Sequence, residues 1–487
     1  MKKLSVVMIV SLLLAMLSAC ATPTPEMVET TVEVLVEKTV EVEVVKTVEV
    51  EVEKTVVVVA TPEPGAVEEV RFLVQEIDPP SVEAYLKMQK PFEEQNPYDI
   101  VMEFTDPEGV MQKIPAVMAA GGVLDVIQPD PGMAITIAKN GDLLPLDEVV
   151  EALGGEDQFL VNTLLKFDGV TYCIPYATAG PVLWYRKDLF EEAGLEPPTT
   201  WDEWLETAEA LTMDTTGDGE NDIYGIAAPG AEAMMTSIMS QVFLWHTGHE
   251  IFDKDLNIHY DDPKTVEMLE FYADLLQYAP PGASAYEFFD VVDAFTSGKT
   301  AMGIYWGRIL GRVYSDTPEL IGKVGAVPLP YKEMKGTYAD VSYNCSFAGT
   351  AHPEAAKAWL QFMSEPEQAI KFSLTVPGHL GPVTYAQYDA LLDSDSPLKE
   401  NPDIAATLFG ISEYYYDPSK NAGGLNFETK TFENTGVINP YISPLWASNV
   451  LATAVQRVAY GGEDAATVVA EIQAEIERVV AEAKELE

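Results

Sequence analysis

The sequence is poor in positive charge, in histidine and in cysteine. It holds 29 Lys and Arg residues against 78 Asp and Glu, a formal net charge of −49, and it has 5 His and 3 Cys. A nucleic-acid-binding protein needs a basic face that displaces counterions from phosphates, so this charge balance argues against that class. It also disfavours anionic membrane surfaces and polyanionic ligands as partners.

Long hydrophobic runs are scarce as well. Residues 4–17 form an apolar run behind Lys2 and Lys3, but it is shorter than the ~20 residues that span a bilayer as a helix. We therefore interpret residues 1–19 as a signal peptide. The run ends in LSAC at Cys20, which is similar to a bacterial lipoprotein box and implies a lipid anchor on that cysteine. An ordinary secretory signal that contains a cysteine is the alternative. We expect the protein at the cell surface or in the periplasm, anchored through Cys20.

Residues 20–67 have low complexity. Their ends are Pro-rich, and between them an octad repeats as KTVEVEVV, KTVEVEVE and KTV from residue 38. Alternating Val and Glu is a β period, but the sequence offers this segment no evident partner strand. Like charges on alternate residues favour an extended chain. The segment is predicted to be a spacer, with self-association as the alternative.

The remaining chain has the pattern of an α/β protein. At 487 residues the protein exceeds the ~250–300 residues of a single hydrophobic core, so two lobes are expected. Strand-like runs at 70–74 and 125–128 are each followed by a helical pattern, at 81–94 and 133–140. Thr200 and Glu203 have capping-box spacing, and the same spacing recurs from Ser284 and Ser364. Residues 465–487 carry apolar side chains on one helical face.

The two remaining cysteines leave a disulfide open. Cys173 and Cys345 both lie in strand-like runs, and an export route would allow them to pair. We favour two separate buried thiols over a bridge.

Several segments, in order, resemble one family. They are 172–177 (YCIPYA), 182–194 (VLWYRKDLFEEAG), 197–204 (PPTTWDEW), 214–226 (DTTGDGENDIYGI), 294–304 (AFTSGKTAMGI), 324–330 (VGAVPLP) and 353–364 (PEAAKAWLQFMS). Together they resemble the extracellular solute-binding proteins of bacterial ABC importers, the family that includes maltose-binding protein. The resemblance covers residues 68–485.

The resemblance implies a two-lobe periplasmic-binding-protein fold, type II-like, with a ligand cleft between the lobes. Three hinge crossings are expected near 177–181, 330–340 and 376–382, and Gly or Pro in each suits a hinge. Lobe one would then comprise 68–177 plus 340–376, and lobe two 181–330 plus 383–487.

The candidate aromatic ligand-binding residues follow from the same resemblance. Trp306 occupies the position of a cleft tryptophan in relatives, although the register among Tyr305, Trp306 and Arg308 differs locally. Trp446 matches a second cleft tryptophan, and Trp245 precedes a loop that approaches the cleft. Aromatic platforms suit the apolar C–H faces of sugars. Burial in a core is the alternative for each of these tryptophans.

Polar candidates lie at strand ends and at the crossings. Gln75, Glu76 and Asp130 follow predicted strands, and open α/β sheets bind ligands beyond the carboxyl ends of their strands. The crossings add three more candidates: Tyr176, Asn344 and His379. A solvated loop position is the alternative for the histidine.

One loop resembles the start of a calcium-binding loop. The oxygen atoms of Asp214, Thr216, Asp218, Glu220 and Asp222 have the spacing of an EF-hand, with Gly219 at the turn. Gly225 occupies the position that needs a bidentate Glu. A structural calcium ion is thus one interpretation, an Asp/Gly-rich turn without metal the other, and no other cofactor is expected.

Enzymatic activity is the rival class. A glycosidase would also combine aromatic residues with paired carboxylates. Against it, the chain has no G-x-S-x-G, P-loop or HExxH motif and no eightfold strand–helix repeat. A stalked adhesin would explain the spacer but not the ordered segments. We predict a monomeric, non-enzymatic binding protein that delivers a sugar or oligosaccharide to ABC permease subunits. A polyol, a glycerol-phosphate derivative or a polyamine is the alternative solute.

Overall fold

The fold is described from a computed structural model, for residues 68–160 and 163–486. The signal peptide, the Cys20 anchor and the repetitive spacer lie outside the described residues. Within the described ranges, no helix combines the length and the apolar character that crossing a membrane requires.

The strands are β1 (Glu68–Gln75), β2 (Tyr98–Thr105), β3 (Val126–Ile127), β4 (Leu165–Phe167), β5 (Val170–Ala179), β6 (Val182–Arg186), β7 (Tyr224–Ala227), β8 (Thr300–Tyr305), β9 (Val324–Val327), β10 (Thr337–Tyr338), β11 (Asp340–Ser346), β12 (Tyr415–Tyr416), β13 (Leu425–Asn426) and β14 (Thr431–Phe432). The helices are α1 (Pro79–Gln95), α2 (Pro107–Ala119), α3 (Pro131–Lys139), α4 (Asp147–Ala152), α5 (Lys187–Ala193), α6 (Trp201–Ala210), α7 (Met234–His246), α8 (Pro263–Leu276), α9 (Phe288–Thr296), α10 (Arg308–Ser315), α11 (Pro353–Ser364), α12 (Pro366–Ser373), α13 (Tyr385–Asp393), α14 (Pro397–Glu400), α15 (Pro402–Gly410), α16 (Ile442–Ala447), α17 (Val450–Ala459) and α18 (Ala465–Leu486). The predicted α/β class is confirmed.

Two sheets organise the body. The larger has the order β2-β1-β3-β11-β5-β4, in which β1 pairs in parallel with β2 and β3, and β11 runs antiparallel to its neighbours β3 and β5. The smaller has the order β7-β8-β6-β9. The chain passes from the larger sheet to the smaller between β5 and β6, and returns between β9 and β11. Both sheets bury apolar side chains on their helix-covered faces, as the alternation of strands and helices predicts.

Local sequence signals set the ends of several helices. The capping box predicted at Thr200 is present: its hydroxyl accepts from the Glu203 N–H at 3.3 Å, and the Glu203 carboxylate accepts from the N–H of Thr200. Helix α18 begins within the predicted segment and buries its apolar face, which is formed by Val468, Val469, Ile472, Ile476, Val479 and Val480. These predictions are confirmed.

Two of the three predicted capping boxes are wrong. Ser284 lies in a 3₁₀ turn, and the helix begins only at Phe288, with Glu287 as its N-cap. The Ser364 hydroxyl donates to the Leu360 carbonyl at 2.8 Å and ends the preceding helix, so Glu365 takes the N-cap position of α12. A Ser-x-x-Glu pattern does not distinguish a helix start from a helix end when two helices follow each other without a loop.

Cys173 and Cys345 form a disulfide, which corrects the preference for separate thiols. The physical reason is strand register. Strands β5 and β11 are 172 residues apart in sequence at these cysteines, yet they pair antiparallel with Cys173 opposite Cys345 and a Cα–Cα distance of 4.4 Å. The bridge thus ties together the two neighbouring strands through which the chain leaves and re-enters the larger sheet.

The third crossing lies later in the chain than predicted. Residues from 383 onward were assigned to lobe two, but α13 packs against α12 of lobe one. The Gln387 amide donates to the Ser364 carbonyl at 2.8 Å, and the Leu160 N–H donates to the Val383 carbonyl at 2.9 Å. Contacts with lobe two resume at α14 and α15, the latter against β9. Residues 383–393 therefore belong with lobe one.

Candidate functional site

A cavity of about 410 Å³ opens where the two lobes and the crossing segments meet. Its lining comes from the end of β8 and the start of α10, from the first turn of α9, from the first residue of β11 and from the loop that follows α12. The lining residues are Glu287, Phe288, Phe289, Asp290, Tyr305, Trp306, Arg308, Asp340 and His379. It lies beyond the end of a central strand of the smaller sheet, a common place for ligands in α/β folds.

Trp306 forms one wall of the cavity and is only 2% exposed. Its ring packs edge-on against Tyr305 and at 6.0 Å from the ring of Phe288. The indole N–H of buried Trp184 donates to the carbonyls of Tyr305 and Trp306, at 3.1 and 3.0 Å. The backbone that presents the Trp306 ring is therefore held by the core of lobe two.

Arg308 carries positive charge at the cavity wall and reaches toward lobe one. Its guanidinium lies 3.9 Å from the Asp78 carboxylate, which follows β1, and 5.6 Å from the centre of the Phe289 ring. His379 stacks on Tyr305, with ring centres 6.5 Å apart. Burial and the charge of Arg308 lower the pKa of His379 to about 3, so this histidine is neutral at pH 7.

Asp340 enters the cavity from the second crossing, as the first residue of β11. Burial and the nearby Asp417 carboxylate raise the pKa of Asp340 to about 6. Behind it, Lys420 donates to the Tyr343 hydroxyl at 2.7 Å and lies 3.2 Å from a carboxylate oxygen of Asp417. A buried charged cluster thus supports the hinge strand at the point where it meets the cavity.

The first turn of α9 supplies two further carboxylates. The Glu287 N–H donates to Asp290 Oδ2 at 2.9 Å, and the Glu287 carboxylate accepts from the N–H of Asp290. Each carboxylate keeps accepting capacity for a ligand, because an ionised carboxylate has about four acceptor sites. Phe289, between them in sequence, is 55% exposed.

Four of the predicted ligand-binding residues meet in this cavity: Tyr305, Trp306, Arg308 and His379. The sequence analysis missed the acidic residues Glu287, Asp290 and Asp340 and the two consecutive phenylalanines at the start of α9, Phe288 and Phe289. The signal that could have found Asp340 is its place at the edge of a predicted crossing. Glu287 and Asp290 could not be singled out by residue type, because the chain has 78 acidic residues.

The predicted residues of lobe one lie outside the cavity lining and have partners of their own. The Gln75 N–H donates to Gln128 Oε1 at 2.7 Å, and the Gln128 amide donates to Asn344 Oδ1 at 2.8 Å. Glu76 accepts from the two N–H groups that follow it, at 2.9 and 3.0 Å. Asp130 is the N-cap of α3. These contacts lie within lobe one and stabilise strand and helix ends.

Three aromatic candidates also pack away from the lining residues. Tyr176 packs on Phe372 with ring centres 5.6 Å apart, and burial raises the pKa of its hydroxyl. Trp245 is buried against Tyr416, with 4.9 Å between ring centres. The Trp446 indole donates to Gln241 Oε1 at 3.0 Å.

The Asp-rich loop bonds to itself. Asp214 accepts from the N–H groups of Gly217 and Gly219, at 2.6 and 2.7 Å, and Asp222 accepts from those of Thr215 and Thr216, at 2.8 and 3.0 Å. The remaining candidate ligands are Asp218, which caps the N–H of its second neighbour at 2.9 Å, and Glu220. Among the described residues, no three His, Cys, Asp or Glu side chains are grouped to hold a metal ion.

Comparisons with known proteins agree with this architecture. The family model described as bacterial extracellular solute-binding protein matches residues 78–370, more than half of the chain. A protein of Brucella abortus (strain 2308) described as a binding protein is 28% identical over 315 residues, 63% of this chain and 74% of its own. An arabinooligosaccharide-binding protein of Halalkalibacterium halodurans is 25% identical over 345 residues, 66% of this chain and 69% of its own.

A solved structure supports the fold. The ABC transporter solute-binding protein of Thermotoga lettingae, bound with alpha-D-tagatose, superposes with a TM-score of 0.65 at 21% identity, over 85% of this chain and 99% of its own. The two-lobe architecture predicted from the sequence is therefore confirmed. The match of the family model to residues 78–370 shows that the chain belongs to the bacterial extracellular solute-binding protein family.

Proposed function

We propose that this protein is the extracytoplasmic solute-binding component of an ABC importer and that it captures a sugar or oligosaccharide in the cavity between its lobes. It would then deliver the solute to permease subunits in the membrane. The observation that carries the proposal is the composition of the cavity, which places the aromatic rings of Trp306, Tyr305 and Phe289 among carboxylates and a guanidinium.

This composition suits the surface of a sugar. Aromatic faces accept the apolar C–H faces of a pyranose ring, while carboxylates accept hydrogen bonds from its hydroxyl groups. Arg308 can donate to ring or hydroxyl oxygens, and carboxylate-to-hydroxyl bonds are of the stronger, charge-assisted kind. An enzyme would need the cavity to do chemistry, whereas the family to which the chain belongs is one of binding proteins. We propose that the protein binds its solute without converting it.

The position outside the membrane is proposed from the N-terminal sequence. The apolar run before Cys20 fits a lipoprotein signal, and the repetitive spacer up to residue 67 would hold the lobes away from the bilayer. A single acidic body of this size fits a monomer that diffuses, on its tether, between free solute and the permease.

The proposal is tested by ligand binding to the purified chain. A thermal-shift screen with mono- and oligosaccharides and polyols comes first, because a ligand at about 100 times its dissociation constant adds roughly 2.7 kcal/mol to the free energy of unfolding. Calorimetric titration then gives the dissociation constant of each hit. Trp306 is too buried for a clean test, since its truncation would also cost the core about 3–5 kcal/mol.

Phe289→Ala is the sharper variant, and the chain offers a matched control. Phe289 is 55% exposed and lines the cavity; Phe427 is 46% exposed, lies outside the cavity lining and has Lys264 over its ring as Phe289 has Arg308. We expect Phe289→Ala to weaken saccharide binding about tenfold, the loss of roughly 1.4 kcal/mol of ring contact, and Phe427→Ala to leave it unchanged. No stabilisation by any saccharide or polyol would refute the proposal, as would equal effects of the two variants.

A further inference from the structure

The cavity has an excess of negative charge. Three of its lining residues are carboxylic acids, Glu287, Asp290 and Asp340, while Arg308 is the one permanently charged cation among the nine lining residues described. His379 is neutral at pH 7 because its pKa is lowered to about 3. A neutral sugar would leave this charge imbalance as it is when the site closes and water is expelled.

The single cation of the cavity already has partners within the protein. The Arg308 guanidinium lies 3.9 Å from Asp78 and over the ring of Phe289. Among the described residues, its ion-pair partner is thus a carboxylate outside the lining. Asp340 is in the opposite situation: the charge that acts on it is a further carboxylate, Asp417. A cation beside Asp340 would remove the cost that burial and this neighbour impose on its ionised form.

Two buried nitrogen atoms of the lining also lack a hydrogen-bond partner within the described part of the chain. They are the indole N–H of Trp306, whose side chain is 98% buried, and Nδ1 of His379. A ligand that offers an acceptor to the indole N–H and a donor to the imidazole nitrogen would satisfy both atoms. A neutral imidazole nitrogen can accept a hydrogen bond, and an ammonium group has three to donate.

We propose that the cavity selects a saccharide that carries a protonated amino group, in preference to the neutral, N-acylated or acidic sugar of the same ring. The ring would lie against the aromatic wall and the ammonium group near Asp340, with the α9 carboxylates available to its other donors. The inference rests on the proposed function, since it names the class of sugar for the same site. The acidity of the whole chain would help by concentrating cationic ligands near the surface.

The experiment compares matched sugars on the purified chain at pH 7. For the gluco, galacto and manno series, calorimetry measures the dissociation constants of the neutral sugar, its 2-amino and 6-amino derivatives, the N-acetyl derivative and the uronic acid. We expect at least one amino sugar to bind at least about tenfold more tightly than its neutral parent, because hydrogen bonds to charged groups are stronger than those between neutral groups. Acetylation of the same nitrogen should abolish the advantage, and the uronic acid should bind least.

An isosteric variant locates the charge. Asp340→Asn should reduce the advantage of the amino sugar over its neutral parent to less than threefold, whereas Asp389→Asn, at an exposed position outside the cavity lining, should keep it. If Asp340→Asn does not fold, the ligand series on the unmodified chain still decides. Neutral sugars that bind as tightly as amino sugars would overturn this inference and leave the proposed function standing. If the chain binds spermidine but no sugar, or if it binds none of the compounds, both this inference and the proposed function are overturned.

Discussion

At Asp340, burial and a neighbouring like charge both oppose ionisation. Its pKa is raised to about 6 by burial and by Asp417, while an aspartate in an unfolded chain titrates near 3.8. A raised carboxyl pKa means that the folded state binds the proton more tightly, so ionisation of Asp340 costs stability. This cost is absent below about pH 4, grows as the pH rises from about 4 to 6, and is fully present above pH 7.

Asp340→Asn is therefore expected to stabilise the unliganded protein at neutral pH. The free energy of unfolding at pH 8 should rise by about 1–2 kcal/mol, and the difference from the unmodified chain should vanish near pH 4. Denaturant titrations of both chains from pH 4 to 8 measure it. His246 and His379, whose lowered pKa values weaken the fold on acidification, are common to both chains and cancel in the difference. A variant that is less stable at every pH would contradict the expectation.

Among single residues, aromatic candidates could be predicted from the sequence better than acidic ones. Trp306 and its neighbours Tyr305 and Arg308 could be placed because tryptophan is rare in the chain and the segment resembles a family pattern. Asp340 could not be singled out among so many acids. Asn344 has a residue type that suits a sugar site and lies in a strand near the crossing. Its amide oxygen, however, accepts a hydrogen bond from the Gln128 amide. This contact depends on the pairing of β3 with β11, which the sequence does not show.

At the scale of elements, the β8–α10 turn and the loop that follows α12 are in direct backbone contact. A Cβ on Gly307 would overlap the backbone carbonyl of Gly378, which itself has a positive φ of 86°. Trp306 precedes Gly307 and His379 follows Gly378, and both line the cavity. The close approach of the two glycines therefore sets the distance between these two lining residues.

Gly307→Ala should accordingly destabilise the fold by about 2 kcal/mol or more, since backbone atoms on both sides must move. It should also weaken ligand binding. Gly410→Ala is the matched control: it lies at the end of α15 in open space, where alanine should be neutral or stabilise by up to about 1 kcal/mol. Denaturant unfolding of both variants measures the difference, and equal stabilities would show that the turn adapts without strain.

Element boundaries could be predicted where the signal is local, and not where it depends on pairing. The Thr200 box and the apolar face of α18 are properties of consecutive residues, so the sequence was sufficient for them. The disulfide depends on β5 and β11 meeting in one register across 172 residues. The return of α13 to lobe one likewise depends on a long-range contact, the hydrogen bond from Gln387 to Ser364.

For the molecule as a whole, charge is the dominant feature, and it opposes folding. Positive side chains are outnumbered by 78 to 29, so the ion pairs on the surface neutralise only part of the acidic charge. Exposed pairs, such as Arg478 with Glu475 and Glu482, each contribute only about 0–1 kcal/mol. Repulsion among the unpaired carboxylates acts over a longer range, and compaction of the chain increases it.

Salt should therefore stabilise this protein. Between 10 and 150 mM NaCl the screening length falls from about 30 Å to about 8 Å, which removes long-range repulsion while contacts within ion pairs persist. We expect the melting temperature to rise by several degrees over this range. Glycine betaine at the same osmolality is the control, because it changes the solvent without screening charge. A melting temperature that stays constant or falls with NaCl would mean that the ion pairs outweigh the repulsion between the unpaired acids.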